Sequence, residues 1–161
     1  AIIKKKELGI LKKLFFLIFI ILGFCINAEK FSDYIEVSEP EYVLIYEAGG
    51  LYIVNEDNDV LTKVEDGRYK VVDEAQITYL TIKDSVFNGK IYVYDKKNNR
   101  IISEYNFKNG VEDGKWIEYD KNEKPASINY IKNGFTIKRE TFVNGKLIIT
   151  KTFKEGIPVN P

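Results

Sequence analysis

The sequence predicts an all-β protein: an antiparallel meander of β-hairpin repeats, forming an extended twisted sheet behind an N-terminal signal helix. Three observations carry that expectation. From residue 41 onward, short apolar or aromatic runs alternate with clusters of Gly, Asn and Asp, the pattern of strands joined by tight turns. One turn recurs eleven residues apart: IKNG at 131–134, FVNG at 142–145 and FKEG at 153–156. The composition is strand-like too, with 11 Tyr, 10 Phe, no Met and 4 Pro in 161 residues. Aromatic and β-branched side chains suit a pleated, half-buried surface.

The first element reads as an address rather than part of the fold. Lys4, Lys5, Lys6, Lys12 and Lys13 precede an apolar run at 14–26, and Ile26, Asn27 and Ala28 make a cleavage site before Glu29. That is the layout of a secretory signal peptide over 1–28. The mature chain is therefore expected to be exported, to the periplasm, the outer membrane or cell surface, or the medium. Thirteen residues of helix cover about 20 Å of a hydrocarbon core roughly 30 Å thick. A retained anchor would have to extend backwards and bury Lys12 and Lys13. Cys25 sits where a lipoprotein signal would carry its cysteine, but Phe24 replaces the small residue normal before it. Cys25 thus reads as one more apolar residue of the run. Residues 29–40 look like a polar lead-in, a helical turn or a frayed arm.

The strand runs follow in two blocks. Degenerate N-terminal strands occupy 41–85, with runs at 42–46, 51–54, 60–64, 68–72 and 77–82. A more regular block at 86–161 has runs at 90–94, 100–107, 115–119, 126–131, 135–142 and 146–153. Asn-Gly between runs favours a two-residue turn with φ > 0 at both central positions. Gly110, Gly134 and Gly145 are accordingly expected in the left-handed region, and Gly89, Gly114 and Gly156 complete the set of turn glycines. Alternation sets Ile101, Tyr105 and Phe107 against Ile102, Glu104 and Asn106. It likewise sets Leu147, Ile149 and Phe153 against Ile148, Thr150 and Thr152. Both sides keep apolar or aromatic residues, so either both faces are partly covered or one is an exposed aromatic surface.

Composition also limits the chemistry. There is no His, and Cys25 is the only Cys. That removes Ser-His-Asp and Cys-His catalysis, His-ligated zinc and any intrachain disulfide. Asn55, Asp57 and Asp59 occupy the first, third and fifth places of a calcium loop. Val60, however, stands where that loop needs Gly, and Asp66 replaces its Glu, so the segment reads as an acidic hairpin turn. Glu112 and Asp113, like Asp73 and Glu74, are adjacent and point apart. No catalytic, metal or cofactor site is expected, and the chain is not expected to be an enzyme. The charge is zero overall, which argues against a nucleic-acid partner. It is unevenly spread: 14 acidic against 5 basic residues in 29–85, and 9 against 14 in 86–161. This is either solvated strand and turn charge or a basic repeat surface suited to an acidic partner or lipid headgroups.

FKNGVEDGKWIEY at 107–119 is the densest repeat unit, and GKIYVYD at 89–95 mirrors GKWIEYD at 114–120. An aromatic, Asn-Gly, a second Gly, Trp and then Tyr in this order resembles the bacterial MORN-repeat variant (MORN_2-type), the module also found in YwqK-type antitoxins. The likeness covers 86–156, and Val64 to Gly67 echoes it once in 41–85. The unit that opens at Gly134 lacks the second Gly and the Trp, and Asn122-Glu123 replaces Asn-Gly. Motif residues of this kind are structural, so the resemblance implies a fold more than a function. Stacked hairpins pair each inner strand on both edges and present a long open face.

Trp116, Tyr119, Tyr92, Tyr94, Tyr105 and Tyr130 form the aromatic set, suited to cross-strand packing or to anchoring a partner, with Trp116 foremost. The expected function is an exported, non-enzymatic module that binds another protein. The resemblance also implies an antitoxin or immunity-like protein. The basic block suggests a third reading, contact with a membrane surface of anionic phospholipid.

Overall fold

The computed structural model describes residues 31, 33–39, 41–45, 48–54 and 59–159. The chain divides into two compact units, Ala1–Asp33 and Tyr34–Pro161. Of the first, only Phe31 and Asp33 are described, both in turns. The expected signal helix over 1–28 lies outside the described residues, as do residues 55–58 of the acidic loop.

Among the described residues the second unit is all strand, with no helix. β1 (Ile35–Ser38) arises within the stretch that the sequence suggested was a polar arm. β2 (Tyr42–Ile45), β3 (Gly50–Val54) and β4 (Val60–Lys63) make a three-stranded antiparallel sheet. The chain then builds a second sheet from β5 (Gly67–Val72), β6 (Gln76–Lys83), the short β7 (Val86–Phe87), β8 (Gly89–Asp95) and β9 (Ile101–Lys108). It continues through the short β10 (Val111–Glu112), β11 (Gly114–Tyr119), β12 (Pro125–Lys132), β13 (Phe135–Val143), β14 (Lys146–Lys154) and β15 (Ile157–Val159). The strand order is β1-β5-β6-β8-β9-β11-β12-β13-β14-β15, with β7 folded onto β6 and β10 onto β9. Pairs from β5 onward are antiparallel, but β1 joins β5 in parallel. The sheet is therefore mixed, not purely antiparallel. Parallel neighbours need a crossover connection, and the small sheet lies within it.

Local chemistry explains the reversals. Asn109 and Gly110 take φ 52° and 80°, Asn133 and Gly134 50° and 80°, Asn144 and Gly145 52° and 75°. These are the paired positive values of a twist-matched hairpin turn. Glu155 and Gly156 repeat the device, while Gly89 and Gly114 take φ 88° and 117° where β8 and β11 begin. The Asp84–Ser85 turn does the same without glycine, and Ser85 N donates to Asp66 Oδ1 at 3.1 Å. At the other strand ends an aspartate gathers free amides. Asp73 Oδ1 accepts from Ala75 N at 2.7 Å, Asp95 Oδ1 from Lys97 N at 2.9 Å, and Asp120 Oδ1 from Asn122 N at 2.8 Å. Backbone bonds also tie one turn to the next: Phe87 N to Gly49 O at 2.6 Å, Gly110 N to Phe87 O at 2.9 Å, Gly134 N to Glu112 O at 2.8 Å.

Two cross-strand rows define the faces of the large sheet. One runs Val37, Val71, Thr78, Val93, Ser103, Glu118, Ser127, Thr141 and Ile149, from β1 to β14. It is buried as far as Ser103 and half-buried or exposed from Glu118 onward. The small sheet accounts for the difference, because Leu51 and Val64 share one apolar cluster with Val71, Leu80, Phe87 and Phe107. The opposite face carries Glu36, Lys70, Tyr79, Tyr92, Glu104, Ile117, Ile128, Glu140 and Thr150 in register. Among the described residues no strand packs over that face.

Candidate functional site

Period-two alternation places Tyr79 on β6, Tyr92 and Tyr94 on β8, Tyr119 on β11 and Tyr130 on β12 on the uncovered face. Tyr79 and Tyr94 meet edge to face at 5.8 Å, and Tyr34 meets Tyr79 at 5.4 Å. Edge-to-face contact is the arrangement that aromatic quadrupoles favour. Carboxylates anchor the hydroxyls further along. Tyr119 Oη donates to Glu104 Oε1 at 2.7 Å, and Lys90 Nζ lies 3.4 Å from Glu104 Oε2. Tyr130 Oη donates to Glu140 Oε2 at 2.9 Å, and Lys138 Nζ lies 2.5 Å from Glu140 Oε1. Lys138 and Lys115 also stand over the Tyr130 ring, at 4.9 and 5.4 Å from its centroid. The result is a band of rings braced by a Glu–Lys lattice.

The electrostatics follow from these contacts. Burial, reinforced by Glu104, pushes the Tyr94 hydroxyl up to about 12. Burial and the hydrogen bond to Glu104 push Tyr119 up as well. Tyr130 is raised chiefly by its hydrogen bond to Glu140, and Glu140 is lowered by Lys138 and then by Tyr130. All three tyrosines are thus neutral donors near pH 7. The face offers hydroxyls, flat rings and ammonium groups.

The six aromatics singled out in the sequence do not form one patch. Tyr92, Tyr94, Tyr119 and Tyr130 share the uncovered face, whereas Tyr105 and Trp116 lie on the other. Tyr105 and Trp116 pack at 4.9 Å with ring planes at 49°, where the cover of the small sheet ends. Trp116 walls a shallow groove of about 340 Å³ with Glu118, Ser127, Asn129, Arg139 and Thr141. There Arg139 Nε donates to Asn129 Oδ1 at 2.5 Å, while Trp116 Nε1 is buried without an acceptor. Burial raises Glu112 at the end of this groove. A second, more apolar cleft of about 460 Å³ opens between β1 and the small sheet, lined by Ile35, Val37, Tyr42, Ile53 and Tyr69.

Sequence reasoning missed Tyr34 and Tyr79 as members of the band, and Glu104 and Glu140 as its acceptors. The spacing of Glu140 from Lys138 on one strand was a usable signal; the pairing of Glu104 with Tyr119 needed the register. Gly89, Gly110, Gly114, Gly134, Gly145 and Gly156 serve the reversals that frame both faces. Among the described residues no three His, Cys, Asp or Glu side chains could together hold a metal ion. The chain matches no protein-family model, no curated protein and no solved structure.

Proposed function

We propose that the chain is an exported, non-enzymatic interaction module of MORN-variant hairpin repeats, and that it binds another protein through the tyrosine face. One observation carries this reading: Tyr79, Tyr92, Tyr94, Tyr119 and Tyr130 lie on one sheet face that no described strand covers. Tyrosine supplies a large, rigid contact area with only two side-chain torsions to order, and a hydroxyl that tolerates both water and an interface. Bracing by Glu104 and Glu140 reduces the ordering cost further. Export rests on the lysine-flanked apolar run ahead of Glu29.

Affinity capture from an envelope extract of the producing cell tests the proposal, with Tyr92→Ser/Tyr94→Ser compared to the parent at matched thermal stability. Partners held by the parent should be lost from the double variant and retained by Trp116→Ala on the other face. Equal capture by parent and double variant would rule the tyrosine face out.

A further inference from the structure

The large sheet ends in two edges of opposite charge. At one end β1 has β5 as its only strand neighbour among the described residues. Residues 35–41 carry Glu36, Glu39 and Glu41, all exposed, and no base. At the other end β15 pairs only with Thr152, Phe153 and Lys154 of the nine-residue β14. The outer side of residues 146–151 therefore faces no described strand. Those six residues read KLIITK, and 146–154 holds three lysines and no carboxylate. Leu147, Ile148 and Ile149 are 52%, 58% and 45% exposed.

A β-branched strand with a free row of backbone donors and acceptors is a template for another strand. Its own charges limit what can add. Antiparallel pairing of residues 146–151 with the same segment of a second copy sets Lys146 opposite Lys151, and like charges directly opposite are destabilising. The β1 edge of a second copy has the complementary character. It is a four-residue strand, short enough for the six-residue gap, it is flanked by carboxylates, and it has Ile35 exposed at 54%.

We propose that copies of this protein associate head to tail, the β1 edge of one pairing with residues 146–151 of β14 in the next. Such a contact joins two different surfaces, so each added copy leaves one acidic and one basic edge free and the assembly stays open-ended. Salt weakens it, because the charges that select the register are solvent-exposed.

Sedimentation velocity of the full chain in a mild detergent, across a concentration series at low and high ionic strength, tests this. Parent and variants share the N-terminal apolar segment, so differences between them report the edges. The weight-average mass of the parent should rise by at least about a doubling with concentration at low salt and fall back at high salt. Lys146→Glu/Lys151→Glu should remain at the smallest species, and so should Glu39→Lys/Glu41→Lys, which spares the Glu36–Lys70 ion pair at 2.7 Å. An equimolar mixture of the two reversed variants should regain the larger species. Near-ultraviolet circular dichroism confirms that each variant is folded. A parent mass independent of concentration would overturn the proposal, as would association that survives both reversals. Binding of the parent to phosphatidylglycerol vesicles without self-association would also overturn it, assigning the basic edge to a membrane instead.

Discussion

Val93 and Ile149 belong to the same cross-strand row on the same sheet face, five strands apart, yet they are 3% and 45% exposed. Nothing in their local pattern distinguishes them: each is β-branched, mid-strand and near an Asn or Asp turn. The apolar cluster that the small sheet shares with the large one runs from Val37 on β1 to Phe107 on β9 and stops there. Beyond it, β13 to β15 expose Phe135, Ile137, Leu147, Ile148 and Ile157. The inner region is a packed core, in which fully burying a large aliphatic side chain contributes roughly 1.5–3 kcal/mol. The outer region is sheet without core, held by ladder hydrogen bonds, hairpin turns and cross-strand pairs worth about 0.2–1 kcal/mol each. Strand pairing alone can thus propagate a sheet outward from a core that it does not share.

The sharpest way to break that comparison is to remove matched aliphatic groups. Leu80→Ala, in the fully buried row of β6, should cost about 2–5 kcal/mol in urea unfolding. Ile148→Ala in β14 should stay within about 0.5 kcal/mol of the parent. Similar losses at both sites would mean that the outer strands have a core after all. Glycines give the next largest contrast. Gly49 has φ +65°, and a Cβ there would fall on the carbonyl oxygen of Gly110, where the small sheet locks onto the large one. Gly49→Ala should therefore cost about 2 kcal/mol or more, because a backbone clash adds to left-handed strain. Gly156→Ala, at φ +79° with Phe135 Cδ1 4.0 Å away as nearest neighbour, should cost only the strain, about 1 kcal/mol.

The smallest effect is pH-dependent. Backbone amides of Lys124 and Asn122 hold Asp120 low, and Lys138 followed by Tyr130 holds Glu140 low. A carboxyl with a depressed folded value adds stability above its unfolded pKa and loses it as pH falls through the folded value. Glu112 and Glu39, raised mainly by burial, have the opposite sign: their ionisation weakens the fold, and acid relieves it. Melting temperature should drop modestly as pH falls below about 4, and Asp120→Asn/Glu140→Gln should flatten that drop. An unchanged acid limb in the double variant would show that these half-buried groups do not hold the outer strands.

Much of the strand layout was legible because its causes are local. Each of the eleven apolar runs overlaps one strand, and Asn109, Asn133 and Asn144 each take the positive φ that an Asn-Gly turn needs. The short β1, β7, β10 and β15 were missed, having too few residues to show a period. The turn at Asp84 and Ser85 was missed because no glycine marks it. Face assignments failed for a different reason. Register shifts at Val93/Tyr94, Glu118/Tyr119, Tyr130/Ile131 and Thr141/Phe142 reset the alternation within single strands. Each bulge moves later side chains relative to earlier ones, so counting by twos grouped Ile101 with Tyr105 and Phe107, whereas Ile101 pairs with Tyr94 and it is Ile102 that packs against the core beside Tyr105.

Sequence alone thus determined where the chain extends and where it reverses, because backbone torsions at Gly, Asn and Asp and the β-preference of the runs act over a few residues. Which strands acquire a core, which aromatics meet and which edges stay free was decided only in three dimensions. Those outcomes depend on where β2 to β4 settle on strands as distant in sequence as that of Phe107, and burial is a property of the neighbours a face acquires rather than of its own sequence.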